Sequence, residues 1–420
     1  MASCKAADAV YHVEVPSAGK KLRELFYSAH YIHSHIAHFY ALAAPDFVMG
    51  PTSDPATRNI LGVVGKVGLQ IGGEVIKHRA YAQDIQTAVL GKATHPVGGL
   101  PGGVSKPITE AERADFEVKA KSCVEFAKFS LKLFDDVVLA NKAYVDLILS
   151  QPFAMKTYYM GLVDANNKVN FYDGQVKVVD PEGKEFVRFK PSEYLAHVAE
   201  HQEPWSYLKF PFLKKIGWKG LVTGKDSSIY RVAPLARLNV ADGMATPEAQ
   251  AAYEKYFSTL GGKPVHATLA THWARLVELL YASERLLELS RDPEITSTTV
   301  RTIPTATPDE GVGIVEAPRG TLIHHYKTDE KGLVTKANII VATAHNYGAM
   351  CMSVRDAAKA VIQKGKEVSE GMLNMVEMAF RAYDPCFGCA THSLPGQMPL
   401  EVIIRDCRGE VVQRLSRNLR

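Results

Sequence analysis

The sequence predicts an α-dominated α+β fold: a core bundle of long helices with small antiparallel β-hairpins and sheets at its edge. Three observations predict it. Apolar residues recur at three- and four-residue steps over several long stretches. Shorter stretches alternate and carry Gly-containing turn pairs. The two kinds of segment do not alternate regularly, which argues against a βαβ chain with a parallel sheet.

Residues 18–44 read as a helix that ends before Pro45, with Leu22, Leu25, Phe26, Ile32, Ile36 and Phe39 at helical spacing. Residues 108–150 read as one long helix or two, opened by Pro107 and Thr109. Further helical blocks cover 247–290 and about 348–379. Between them, "KVNFYDGQVKVVDPEGKEFVRF" (168–189) carries turn pairs at Asp173-Gly174 and Glu182-Gly183 and reads as hairpins. "GTLIHHYKTDEKGLVTKANIIVAT" (320–343) reads as another, turning at "TDEKG". There is no internal repeat, low-complexity segment or interdomain linker.

With 420 residues the chain can bury a large core, and its 22% charged content is that of an ordinary globular protein. A net charge of +4 without a Lys/Arg run gives no case for nucleic acid. The first 20 residues hold no apolar signal-peptide core. No apolar run approaches the length a membrane-spanning helix needs. These features set the expectation of a cytoplasmic protein. The six cysteines are too sparse for a disulfide scaffold. Cys123 and Cys351 read as small buried apolar residues.

Three features read as structural. His30/His33 and His35/His38 are i,i+3 pairs on one helix, but no carboxylate stands at ligand spacing, so packed polar groups are the favoured reading. "GKATHPVGGLPGGVSKP" (91–107) matches no phosphate-binding fingerprint and reads as a tight loop crossing a core. Arg319, between Pro318 and Gly320, could aim its fork at a ligand. Taken alone, it reads as a surface ion pair.

Cys386 and Cys389 differ, because two thiolates separated by two residues can bite one soft metal ion. A haem-attachment motif needs His directly after the second Cys, and here two residues intervene. A zinc knuckle needs a second pair. A metal half-site leads; a redox dithiol and a zinc site stand behind it.

The full run "DPCFGCATH" (384–392) resembles the C-terminal signature of the nickel–iron hydrogenase large subunit, DPCxxCxxH. "HSHIAHFYALAAPDF", "HPVGGLPGG", "YRVAPLARLN", "EAPRGTLIHH" and "IIVATAHN" are similar to further segments of that family, in the same order. Together they cover most of the chain. "RAYDPC…CATH" and "GQMPL" most resemble the cytoplasmic, reversible group. The resemblance implies the large-subunit fold and the catalytic subunit of a hydrogenase. Such a protein splits H2 heterolytically and reversibly into hydride and proton and passes electrons to an iron–sulfur small subunit. The resemblance implies a Ni–Fe centre whose iron carries carbon monoxide and cyanide. Cys386 would bind nickel terminally and serve as the base, while Cys389 would bridge nickel and iron. His392, with the carbonyl of Ile339, would hold Mg2+. Arg319 would lie over the open metal face, with Pro318 beside one cyanide, Thr343 bonded to the other, and Asp384 paired with the Arg. An electron-acceptor module of the NAD(P)-, F420- or heterodisulfide reductase type is implied as a further partner.

The sequence departs from the family in two places. The N-terminal RxCGxC motif and the upstream Glu are absent, so the chain as written supplies two thiolates of four. The expectation is a fragment, inactive when isolated. Ser34 stands where many members carry an acid that fixes the active-site Arg, which leaves Asp384 as that Arg's partner. The resemblance also implies one large-subunit domain over 1–392 and an extension, 393–420, that a maturation endopeptidase removes between His392 and Ser393. The chain would then be a precursor. The alternative is a non-catalytic protein of the same fold, like the one in respiratory NADH dehydrogenase. Retention of Cys386, Cys389, Arg319 and His392 argues against it.

Overall fold

The helix Thr271–Arg291 is buried on nearly every side from Thr271 to Glu284. Its sequence, THWARLVELLYASERLLELSR, is apolar or aromatic around much of its circumference, and such a helix is stable only inside a core. It packs against Glu110–Phe134 and Ser17–His38, and the latter packs in turn against Leu69–Leu90. These four helices form the central bundle of a computed structural model that describes residues 1–386 and 400–417 of the chain. It divides into two units, Met1–Asp384 and Pro385–Arg420.

The helices match the sequence reading in position and differ in their ends. The first long helix does not stop before Pro45. Ser17–His38 widens into a π-helical turn, Phe39–Ala43, and continues as Ala44–Val48. Pro45 falls in the first turn of that last piece, where a missing N–H does no harm. The 108–150 block is two helices. Glu110–Phe134 is opened by a capping box between Thr109 and Glu112, and Lys142–Leu149 follows a second π-helical turn. The 247–290 block is also two, Pro247–Thr259 and Thr271–Arg291, parted by a stretch that holds the Gly261-Gly262 pair. Tyr347–Val361 and Glu370–Arg381 account for the last block.

The sequence pattern does not predict Leu69–Leu90. Gly72 and Gly73 near its start, and polar residues scattered among its apolar ones, hide the helical period.

The sheets are small. Glu185–Phe189, Gln175–Val179 and Tyr158–Val163 form an antiparallel meander, and Tyr230–Arg231 adds a short parallel edge. Asp173-Gly174 is not a tight hairpin turn, because residues 164–174 form a loop between two paired strands. A second sheet orders Val334–Ile340, Gly320–Thr328 and Glu310–Ala317. Its first connection is the "TDEKG" turn. Its second is a tight turn at Pro318-Arg319, closed by pairing of Ala317 with Gly320.

In the Pro385–Arg420 unit, Leu400–Arg405 and Val411–Arg417 pair as an antiparallel hairpin. Cys123 is buried, whereas Cys351, within the helix Tyr347–Val361, is only half-buried. Among the described residues, no helix is long and apolar enough to cross a membrane.

Candidate functional site

The Pro318-Arg319 turn projects from the end of the hairpin Glu310–Ala317/Gly320–Thr328. Gly320 has φ +128°, and a Cβ there would overlap the Val232 side chain. Glycine alone lets the turn close this tightly against its neighbour. Arg319 Nε donates to the main-chain oxygen of Asp384 at 2.9 Å and stands 3.2 Å from Oδ1 of the same residue. Asp384 is buried and holds a left-handed conformation, φ +54°, which Asp tolerates better than most residues. Burial pushes its carboxyl pKa above the ordinary value, although Arg319 and Arg275 pull the other way. Its Oδ2 is buried without a hydrogen-bond partner among the described residues.

Beneath the turn lies a buried ionic network that the sequence reading did not identify. Arg237, in the helix Pro234–Val240, has no exposed surface. Its Nε and Nη2 donate to the two carboxylate oxygens of Glu278 at 2.5 and 2.7 Å. Nη1 donates to Glu316 Oε2 at 2.9 Å and to the Ala317 carbonyl at 2.8 Å, and Nη2 donates to the Pro318 carbonyl at 3.1 Å. All five guanidinium N–H groups therefore have acceptors. Tyr27 and Tyr31 hydroxyls donate to the Glu316 main-chain oxygen at 2.8 and 2.5 Å. Burial pushes Glu278 up, but Arg237 and His35 more than offset it and hold the carboxyl below its ordinary pKa. Glu316 is buried beside the same guanidinium and its pKa is raised, because burial there outweighs Arg237.

His35 Nε2 lies 3.0 Å from Glu278 Oε2. Burial lowers the His35 pKa to about 4 in spite of that carboxylate. Near neutral pH the ring is therefore neutral, and its Nε2–H donates to Glu278. His38 Nε2 meets the Arg381 carbonyl at 2.9 Å, and His33 Nε2 stands 3.4 Å from Arg79 Nη2. These three histidines of one helix are thus tied to three different elements and do not converge on a common point. Ser34 is buried and its hydroxyl has no partner among the described residues. Arg275, fully buried, donates to the Ala382 carbonyl at 3.0 Å just ahead of Asp384.

The Gly-rich loop is packing. Gly102 N–H donates to Asp8 Oδ1 at 2.8 Å, and Arg23 Nη2 donates to the Gly103 carbonyl at 2.9 Å. These contacts serve the fold, not an anion.

Thr343 is buried in the short helix Ala342–His345, which packs against Gly320–Thr328. Ile339 lies opposite His324 in its strand and is 46% exposed. Cys386 is half-buried. Cys389 and His392 lie outside the described residues, as does the bond between His392 and Ser393. Among the described residues, no group of three or more His, Cys, Asp or Glu side chains is arranged to hold a metal ion.

The sequence pattern of the family described as nickel-dependent hydrogenase matches residues 1–54 and 74–392. The chain belongs to that family. An iron-sulfur subunit of the F420-non-reducing hydrogenase of Archaeoglobus profundus is 50% identical over 414 residues, covering 99% of this chain and 85% of that protein. The beta subunit of the NAD-reducing hydrogenase HoxS of Cupriavidus necator is 36% identical over 414 residues, covering 96% and 82%. An NAD+-reducing [NiFe]-hydrogenase, solved in its H2-reduced state, superposes with a TM-score of 0.85 at 33% identity, covering 93% of this chain and 84% of the other. A Ni-Fe-Se hydrogenase from D. vulgaris Hildenborough shares the fold at a TM-score of 0.69 and 22% identity, covering 93% and 85%.

This chain is accordingly a hydrogenase large subunit, an oxidoreductase acting on H2, of a family that depends on nickel. The hydrogenase fold places Arg319 and Asp384 together. It also reveals Arg237, Glu278, Glu316 and His35 as one network, which sequence reasoning passed over. A signal was present: Arg237 interrupts an apolar run in "APLARLN", and Glu278 stands in the apolar "RLVELLYA". Charges in such positions are buried and need partners.

Proposed function

We propose that this hydrogenase splits H2 heterolytically at a centre held in part by Cys386 and Cys389, two of its four thiolates, with Arg319 and Asp384 beside it. The family match through residue 392 and the ion pair of Arg319 with Asp384, two residues ahead of Cys386 in the chain, carry the reading. The donor chemistry fits, since paired thiolates suit nickel and iron. In this reading Cys386 and Cys389 would hold the nickel–iron centre, whose iron would carry CO and cyanide, with Pro318 and Thr343 lining its cyanide side. His392 and the Ile339 carbonyl would hold Mg2+.

When bound, the centre supplies the electron-pair acceptance that heterolysis of a very weak acid requires. The Cys386 sulfur takes the proton, because a thiolate beside the reacting bond is a base already in position. Arg319 presents positive charge from a fixed direction. Only its Nε is engaged by Asp384, and Nη1 and Nη2 donate to none of the described residues. A preorganised charge of this kind needs no reorientation as hydrogen polarises. Asp384 orients Arg319 and takes no proton in this scheme.

Electrons leave through an iron–sulfur small subunit to an acceptor module of the NAD(P)-, F420- or heterodisulfide reductase type. The names of the relatives, parts of NAD-reducing and F420-non-reducing hydrogenases, support a multi-subunit assembly. We assign residues 1–392 to the mature large subunit and 393–420 to an extension that a maturation endopeptidase removes after His392, in the cytoplasm. The end of the family match at residue 392 supports that boundary.

The test is nickel content and H2 oxidation in the complex assembled with its partner subunits. Cys386→Ser and Cys389→Ser should each lower nickel per chain at least tenfold and abolish turnover. Full nickel loading in either variant would overturn the ligand assignment.

A further inference from the structure

Three consecutive main-chain carbonyls at the end of the Arg319 hairpin are tied from below. Tyr27 and Tyr31 bind that of Glu316, and Arg237 binds those of Ala317 and Pro318. The two peptide groups that lead into Arg319 are therefore oriented by one guanidinium. That guanidinium cannot turn. Glu278 grips it through both carboxylate oxygens, Glu316 grips it at Nη1, and the rings of Tyr31 and Phe171 lie 5.5 and 5.6 Å from its carbon. His35 Nε2 also holds Glu278, at Oε2, the oxygen that Arg237 Nη2 binds.

We infer that Arg237 is a positioning residue for hydrogen cleavage. It sets the direction in which Arg319 leaves the hairpin, and Glu278 and His35 hold Arg237 in place. The inference rests on the reading of Arg319 given above. Its physical basis is the donor count. Two N–H groups face Glu278, and one donor each faces Glu316, Ala317 and Pro318. A lysine offers three donors from one point and cannot span five acceptors. Arg237→Lys therefore keeps the buried positive charge between two carboxylates yet releases at least one of the turn carbonyls.

The test is a double-mutant cycle in the assembled complex, using wild type, Arg237→Lys, Arg319→Lys and the double variant. Nickel per chain, kcat and KM for H2 are measured with an artificial electron acceptor. Arg237→Lys should keep nickel within about twofold of wild type while kcat falls roughly 10- to 100-fold, the scale of a misplaced catalytic group. The double variant should be no more than about threefold worse than Arg319→Lys alone, because the two residues act through one side chain. A low kcat in Arg319→Lys with a wild-type Arg237→Lys, or with a double variant equal to the product of the two losses, would overturn the inference alone. A wild-type kcat in Arg319→Lys would remove the reading of Arg319 itself and the inference with it.

Should Arg237→Lys not accumulate, Arg237→Met combined with Glu278→Gln removes the ion pair as a unit, a change that buried pairs often tolerate. Nickel-loaded enzyme with wild-type kcat in that variant would overturn the inference. So would failure of both variants to fold, which would make the network structural only.

Discussion

Arg319 and Asp384 are joined at a single nitrogen. Arg319 Nε donates to the Asp384 main-chain oxygen at 2.9 Å and lies 3.2 Å from its side-chain Oδ1. The main-chain bond does not depend on the identity of residue 384, but the charge does. Asp384→Asn keeps the backbone contact and tolerates the left-handed conformation. Its expected effect is a fall in kcat of about 10- to 100-fold, typical of groups that orient a metal site's neighbours. Nickel content and thermal stability should be nearly unchanged. Parallel calorimetry, nickel analysis and H2 oxidation would separate the two effects, and a matched loss of nickel would count against the orienting role.

Gly320 should resist substitution. Gly320→Ala brings a Cβ against Val232 and places an alanine at φ +128°. The variant should lose about 1–3 kcal/mol from overpacking and backbone strain, and activity should fall with it as the Arg319 turn shifts. Chemical denaturation and H2 oxidation check both effects. Wild-type values in both would refute the description of the turn.

Arg23 makes a separate prediction about the N-terminal helix Ala2–Val10. It is fully buried and pairs with Asp8 at 2.5 and 3.1 Å while bonding the carbonyls of Leu100 and Gly103. Asp8→Ala leaves that cation buried without its counter-charge and should destabilise the fold by about 3–5 kcal/mol. Adding Arg23→Met should recover part of the loss. A double variant as unstable as Asp8→Ala alone would show that the pair is not the cause.

The buried histidines predict an acid-labile fold. Burial lowers His35 to about 4 and His345 to about 3, and carries His38 and His272 well below the ordinary imidazole value. Unfolded, each binds a proton below roughly pH 6.5. The unfolded state therefore binds more protons than the native one between about pH 6.5 and 4. Stability falls as the pH drops through that window. Above about pH 6.5 the histidines contribute no slope. Denaturant midpoints at roughly pH 7.5, 6 and 5 test this, and a flat profile would show that these rings are not buried in the neutral form.

How much of this was legible in the sequence follows from where the information lies. Helix bundles announce themselves through apolar period, so the blocks around Leu22–Phe39 and Trp273–Leu289 were readable. The π-helical turn at Phe39–Ala43 and the run through Pro45 were not, because tertiary packing sustains them. Arg319 was visible as a residue between Pro and Gly, yet its place at a hairpin tip depends on the pairing of Glu310–Ala317, which no local pattern marks. Arg237, Glu278 and Glu316 converge from three distant segments. Only the folded chain shows that their charges meet.

The most direct test of the account is hydrogen–deuterium exchange between H2 and D2O in the assembled complex, since it reports bond cleavage without electron transfer to a partner. At equal nickel content, Arg319→Lys should exchange roughly 10- to 100-fold more slowly than wild type, because the charge is present but no longer aimed. Exchange at the wild-type rate in nickel-loaded Arg319→Lys would contradict the claim that this Arg, held by Asp384 and set in direction by Arg237, acts at the splitting of hydrogen.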